Sequence, residues 1–145
     1  MIVLVLLAIG LGVLLPVQAG INAQLRTVLG VPLAAALASF LVGTAALAAG
    51  ALATRTPLPL GSAWTHSPWW YWIGGLIGAV YVGGAIVLAP RLGAATLVAA
   101  VVAGQMLTSL VLDHFGWVGF PVHEITPMRL LGAALVIGGV VLVQR

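Results

Sequence analysis

The 145-residue chain has no cysteine and no lysine, and only Asp113 and Glu124 carry a carboxylate side chain. Without cysteine there are no disulfide bonds and no thiolate ligands, and three separated histidines do not suggest a metal site or a cofactor. The net charge of +3 comes from five scattered arginines, so there is no basic patch and no expected nucleic-acid partner. Charged residues are 5% of the chain, against roughly 25% in a soluble domain, and a water-soluble surface is therefore excluded.

What the chain does have is long apolar runs. Hydrophobic residues make up 63% of it, and the mean hydropathy is +1.26. A membrane-spanning helix needs about 20 mostly apolar residues. The sequence predicts an all-α integral membrane protein with a single domain of five spanning helices, at about residues 2–25, 32–54, 69–89, 94–112 and 127–143.

Local signals set the ends of these helices. No basic residue precedes the first run, so we expect it to be a retained helix and not a cleaved signal peptide. The cluster Trp69–Trp72 is typical of the headgroup level, where the third helix would enter the membrane. Pro90 to Gly93 predicts a tight break after that helix, and Thr126 followed by Pro127 predicts the start of the fifth.

Small residues recur every four positions in two of the runs. Such spacing lets helix backbones approach closely in lipid. Tight packing within one subunit and an oligomer interface are both open interpretations. The residues concerned are Gly74, Gly75, Gly78, Ala79 and Gly83 in the third run, and Ala134 and Gly138 in the fifth.

Polar residues inside the apolar runs are the candidate binding residues, because polar groups at membrane depth are costly. In the first run Gln18 and Asn22 share one helix face, and Pro16 frees the carbonyl of Gly12 from its helical hydrogen bond. These groups could bind a small solute, or they could lie near the helix end and meet water. Tyr81 in the third run could reach a cavity or only support packing.

The fourth run carries the most specific pattern. Gln105, Thr108, Ser109 and Asp113 fall on one stripe of a helix. The stripe could line a wet cavity, or its hydroxyls could bond back to their own helix. Asp113 and His114 are possible proton carriers at its end, and Asp113 could instead simply end the helix. No motif for hydrolysis, nucleotide binding or redox cofactors is present, so we do not expect an enzyme.

Several short motifs together resemble the drug/metabolite transporter superfamily. More narrowly, the chain is similar to its five-helix bacterial inner-membrane branch of unknown function, which is related to the small multidrug resistance exporters. The motifs are Gln18-Ala-Gly-Ile-Asn22, Pro68-Trp69-Trp70 with Gly74-Gly75, Ala89-Pro90-Arg91-Leu92-Gly93-Ala94, Gly104-Gln105 and Asp113-His114-Phe115-Gly116.

The resemblance implies a multi-pass protein of the bacterial inner membrane that transports a small metabolite or drug-like solute and works in pairs. A free five-helix unit could form an antiparallel homodimer of dual topology, or pair with a paralogous five-helix subunit. Arginines are almost balanced between the two predicted sides, with Arg55 and Arg129 on one side and three on the other. So small a bias leaves two topologies open: a single orientation with the three-arginine side in the cytoplasm, or insertion in both orientations, as an antiparallel dimer requires. The first helix lacks the membrane-embedded Glu of the small multidrug exporters, so a neutral or zwitterionic solute is expected. The alternative is a non-transporting membrane scaffold or accessory subunit.

Overall fold

The computed structural model describes residues 2–144, and every regular element within that range is helical. Two short 3₁₀ segments, Trp69–Trp72 and Trp117–Gly119, accompany the α-helices. The helices are α1 (Ile2–Leu29), α2 (Pro32–Ala53), α3 (Leu60–His66), α4 (Ile73–Leu92), α5 (Ala94–Phe115) and α6 (Pro127–Val143). The third, fourth and fifth apolar runs of the sequence correspond to α4, α5 and α6.

Among residues 2–144, four segments are long and apolar enough to cross a membrane: Ile2–Leu29, Pro32–Ala53, Trp69–Leu92 and Ala94–Phe115. Helix α6 is equally apolar but has 17 residues. At about 1.5 Å per residue it is about 25 Å long, against a hydrocarbon core of about 30 Å, at the short end of the range for a spanning helix. A fifth crossing by α6 therefore stays a prediction.

Helix ends differ from the sequence predictions at three places. Helix α1 continues to Leu29 and α5 to Phe115, so Asp113 and His114 lie in the last turn of a helix and not in a loop. Helix α4 passes through Pro90 and ends at Leu92, because a proline in a last turn removes a single hydrogen bond and does not have to end the helix. The break comes at Gly93, whose φ of +76° suits glycine.

The connection after α2 contains a helix that the sequence reading missed. Residues Leu60–His66 form α3, whose hydroxyl groups bond back to its own carbonyls, as Thr65 does to Ser62 at 3.1 Å. The rings of Trp64 and Trp72 lie 4.9 Å apart. Trp64 is 68% exposed and Trp72 is 40% exposed, which suits aromatic side chains at the headgroup level of a membrane.

The chain divides into two compact units, one ending at Arg91 and the other beginning at Leu92. In the first unit α1 packs against α2. Its small core consists of Ala35, Ala36, Val82 and Ile86, with Leu25 packed against them. Most other large apolar side chains are exposed, as expected where the surrounding solvent is hydrocarbon.

In the second unit α5 packs against α6. The buried or half-buried positions Arg129, Ala133, Val136 and Val140 recur at helical spacing along α6. Thr126 caps this helix by accepting a hydrogen bond from the Arg129 backbone N–H at 3.3 Å. The face of α6 that packs in the single chain is therefore the Ala133 face.

The predicted small-residue stripes take little part in the packing of the single chain. Ala134 and Gly138 of α6 are exposed. In α4 an added Cβ at Gly74, Gly75 or Gly83 would meet no atom within 4 Å, whereas Gly78 faces the Phe40 ring at 3.6 Å. Ala79 is exposed as well. Contact with a second chain through these stripes stays a prediction.

Candidate functional site

An open groove of about 240 Å³ lies in the first unit. We call it the mid-membrane groove. It combines polar side chains with apolar ones, and no ionisable residue is among those that line it. Its lining residues are Gln18, Ser39, Phe40, Gly43, Thr44, Leu47 and Val82.

The groove lies at the middle of each helix that forms it. Gln18 is close to the centre of α1, which runs from residue 2 to 29. Gly43 is at the centre of α2, residues 32–53, and Val82 is near the centre of the segment 69–92. Because these three helices are candidate spans, the groove is at the depth where polar groups are most costly and solute sites of transporters commonly lie.

The polar side chains of the groove are not used in internal hydrogen bonds. The hydroxyls of Thr27 and Thr54 bond to carbonyls of their own helices at 2.7 and 2.8 Å. Within residues 2–144, no such bond involves Gln18, Ser39 or Thr44. A helical hydroxyl in lipid ordinarily satisfies itself in this way, so these groups are left available to an outside partner.

Asn22 lies one helical turn beyond Gln18 on the same face of α1 and is only 4% exposed. Its amide forms no hydrogen bond to another residue between positions 2 and 144. The same region contains no fully enclosed polar side-chain atom without a partner, so the Asn22 amide still reaches accessible space. The role of Asn22 in binding a solute stays a prediction.

The polar stripe of α5 is not part of this groove. Gln105, Thr108 and Ser109 are exposed on the second unit. Among the described residues, neither hydroxyl bonds back to the helix, which was the alternative considered from the sequence. The stripe therefore presents unbonded polar groups along an otherwise apolar helix. Tyr81 is 37% exposed and adjoins the groove residue Val82 along the chain, but it is not one of the lining residues.

Asp113, at the end of the stripe, forms an ion pair with Arg129 of α6. Arg129 Nη1 also donates to the His123 carbonyl at 2.9 Å, and the His123 N–H donates to the Asp113 carbonyl at 2.8 Å. These bonds tie the end of α5 to the start of α6. The arrangement gives Asp113 a structural role that competes with its proposed role as a proton carrier.

His114 is also engaged at this junction. Its Nδ1 accepts a long hydrogen bond from the Ile125 N–H at 3.4 Å, so a neutral His114 carries its proton on Nε2. Its ring meets Phe115 edge to face at 4.8 Å.

Sequence reasoning missed Ser39, Phe40 and Thr44 as groove residues and Arg129 as the partner of Asp113. A signal for the hydroxyls was present, because Ser39 and Thr44 are the polar side chains of the run 32–53. Their i, i+5 spacing does not form a regular helix stripe, so the sequence pattern alone does not mark them as one site. Nothing in the sequence indicated which arginine would meet Asp113.

Comparison with known proteins places the chain within one family. The family model described as "Putative inner membrane exporter, YdcZ" matches residues 3–142. The chain is 38% identical over 77 residues to the inner membrane protein YdcZ of Escherichia coli (strain K12). That alignment covers 53% of this chain and 51%, about half, of the relative. No solved structure matches.

Proposed function

The chain belongs to the family described as "Putative inner membrane exporter, YdcZ", and from this premise we propose that it is a subunit of a secondary transporter. It would move a small metabolite or drug-like solute across the bacterial inner membrane. The observation that carries the proposal is the mid-membrane groove, which is lined by Gln18, Ser39 and Thr44, whose side chains form no hydrogen bond within residues 2–144. Stranding such groups in hydrocarbon costs free energy, and a solute or water that satisfies them removes that cost.

The working unit would be a dimer. The groove of one chain, about 240 Å³, is smaller than the roughly 300–1,000 Å³ of pockets for drug-sized ligands. The α5 stripe, Gln105 to Ser109, is exposed in the single chain and would line a central cavity once a second copy covers it. A homodimer is the simplest assembly, and a paralogous five-helix subunit would serve equally.

The proposed pairing is antiparallel. If α6 completes a fifth crossing, the two ends of the chain lie on opposite sides, and the arginines divide two against three. Such a small bias does not fix one orientation. Two copies inserted in opposite directions form the inverted arrangement that many transporters contain within one chain.

Transport can be tested without knowing the solute. Proteoliposomes are loaded with a bacterial metabolite extract, and the compounds lost from the lumen are identified by mass spectrometry. We expect the wild-type protein to deplete a small set of compounds that empty liposomes retain. The variants Gln18→Leu and Gln105→Leu should retain them, whereas Gln24→Leu, an exposed residue of α1 outside the groove, should behave as wild type.

If liposomes that contain the wild-type protein transport no compound, whether efflux or uptake is measured, the proposal is contradicted and the scaffold or accessory role is favoured. Depletion that persists in both leucine variants would show that transport does not use these polar groups.

Topology gives a separate test of the dimer. Because the chain has no cysteine, a Thr56→Cys variant carries a single label site in the connection after α2. An impermeant maleimide applied to intact cells should label about half of the molecules if both orientations insert. Labelling of all or none would rule out the antiparallel homodimer and leave a parallel dimer or an oppositely inserted paralogue.

A further inference from the structure

The α2 wall of the mid-membrane groove has a composition that restricts what can bind there. Ser39 and Thr44 of α2 line the same groove as Gln18 of α1. In contrast to Thr27 and Thr54, these hydroxyls have no backbone acceptor within the described range 2–144. Two hydroxyls and one amide supply both donors and acceptors, so the groove suits a ligand group that also has both.

Charge sets the second restriction. None of the lining side chains is ionisable, and each of the three helices contributes from its middle. An ion moved to such a depth without a counter-charge loses its hydration and gains no Coulomb partner. A cation, an anion or a zwitterion would therefore be strongly disfavoured in the groove, and an uncharged molecule would not.

The apolar side of the groove sets the third restriction. The Phe40 ring packs over Gly78. A Cβ atom added at Gly78 would lie 3.6 Å from this ring. The ring is nevertheless 39% exposed, so part of it borders the groove together with Leu47 and Val82. A ring surface beside aliphatic side chains favours a flat apolar group.

We propose that Ser39, Thr44 and Phe40 of α2, together with Gln18, form a binding subsite for small uncharged molecules that join a flat apolar part to a hydrogen-bonding group. The inference rests on the proposed transport function, because it names the class of solute that this function would handle. It adds α2 to the solute site and excludes charged substrates from this part of it.

Three molecules of nearly the same shape test the role of charge. Benzamide, benzoate and benzamidinium share a ring and a planar end group, and they are neutral, anionic and cationic, respectively. The protein has no cysteine, so a Thr44→Cys variant carries one thiol in the groove. Val42→Cys is the matched control, because Val42 lies at almost the same depth on the opposite face of α2 and is 71% exposed.

Thiols in hydrocarbon react slowly because the thiolate is not stabilised there. We expect N-ethylmaleimide to label Thr44→Cys at least about tenfold faster than Val42→Cys in proteoliposomes. Benzamide should slow the labelling of Thr44→Cys in a saturable way, and the two ions at equal concentration should not. Benzamide should leave the labelling of Val42→Cys unchanged.

Equal labelling of the two variants would overturn the inference, because it would show that the groove is filled by lipid or by a second chain. Protection by benzoate or benzamidinium as strong as that by benzamide would overturn the restriction on charge. Protection confined to benzamide would support it. The Ser39→Ala variant in the same background should weaken the protection by several-fold.

The outcome separates the subsite from the transport function. If metabolite depletion depends on Gln18 and Gln105 while benzamide gives no protection, the transporter proposal stands and the α2 subsite fails. If benzamide protects and the wild-type protein depletes no compound, the subsite stands as a binding site and the transport function fails.

Discussion

Exchanging the charges of Asp113 and Arg129 tests what holds the second unit together. Each charge opposes the dipole of its own helix: Asp113 is in the last turn of α5, and Arg129 is in the first turn of α6. An anion is disfavoured at a helix C-terminus and a cation at an N-terminus. The ion pair between the two helices compensates for both, and Arg129 also donates to the His123 carbonyl.

The size of the effect follows from these contacts. A hydrogen bond to a charged group contributes about 1.5–3 kcal/mol, and the lower part of that range applies because the two side chains are 33% and 21% exposed and water screens them. Asp113→Arg alone or Arg129→Asp alone also brings like charges together. We expect each single variant to lose about 3 kcal/mol of unfolding free energy.

The double variant Asp113→Arg/Arg129→Asp restores the pair with both charges aligned to their own helix dipoles. This alignment contributes about 0.3–1 kcal/mol at each site. The new acid also stands three residues after the cap Thr126, where it can complete a capping box. These gains offset the lost bond to the His123 carbonyl, and we expect a stability within about 1 kcal/mol of the wild type.

The assay is unfolding of the purified protein in dodecyl maltoside by increasing mole fractions of sodium dodecyl sulfate, followed by circular dichroism. If the double variant is as unstable as the two single losses combined, the pairing argument is wrong. Transport by the double variant then separates the two roles of Asp113. If the double variant recovers both stability and transport, Asp113 has a positioning role. If it recovers stability without transport, a carboxylate is needed at position 113.

Three further variants test local features. Gly116→Ala should cost more than Gly119→Ala: both have positive φ, with a penalty of about 1–2 kcal/mol, but an added Cβ at Gly116 also lies 2.8 Å from Val122 Cγ2. Measured by the same unfolding assay, equal losses would refute the clash. Thr126→Ala should lose about 1 kcal/mol by removing the α6 cap, and Thr126→Ser should lose little; no difference between them would contradict a capping role. Gly43→Leu should abolish benzamide protection without loss of stability, since nothing lies within 4 Å of its added Cβ, and Gly50→Leu should leave protection intact. Protection that survives Gly43→Leu would place the binding elsewhere.

Much of the membrane architecture could be predicted from the sequence, because apolar run length is a strong signal. The starts at Pro32 and Pro127 agree with the structure, since proline at the first turn and Thr126 as a cap are local features that need no tertiary contact. Helix ends were less accurate. Asp113 and His114 were placed beyond α5 because polar residues usually mark a loop, but the junction with α6 extends the helix over them.

The site was only partly predictable. Gln18 and Asn22 were found because amides in an apolar run are conspicuous, and the structure places Gln18 in the groove and buries Asn22. The α2 wall was missed because Ser39 and Thr44 form a groove only together with residues of the neighbouring helices. The sequence of one apolar run does not show which helices lie beside it. The solute-binding roles of Gln105, Thr108, Ser109 and Tyr81 stay predictions, because a second chain that could enclose them is part of the proposal itself.

Pro16 gives α1 a property that infrared spectroscopy can detect. The proline lies within the helix, two residues before Gln18, and has no N–H, so the Gly12 carbonyl loses its usual donor. A carbonyl without a donor in a dry environment absorbs at a higher amide I frequency than its neighbours. Carbon-13 at the Gly12 carbonyl would therefore report whether water reaches this part of α1, through a band that moves to lower frequency when the carbonyl accepts a hydrogen bond.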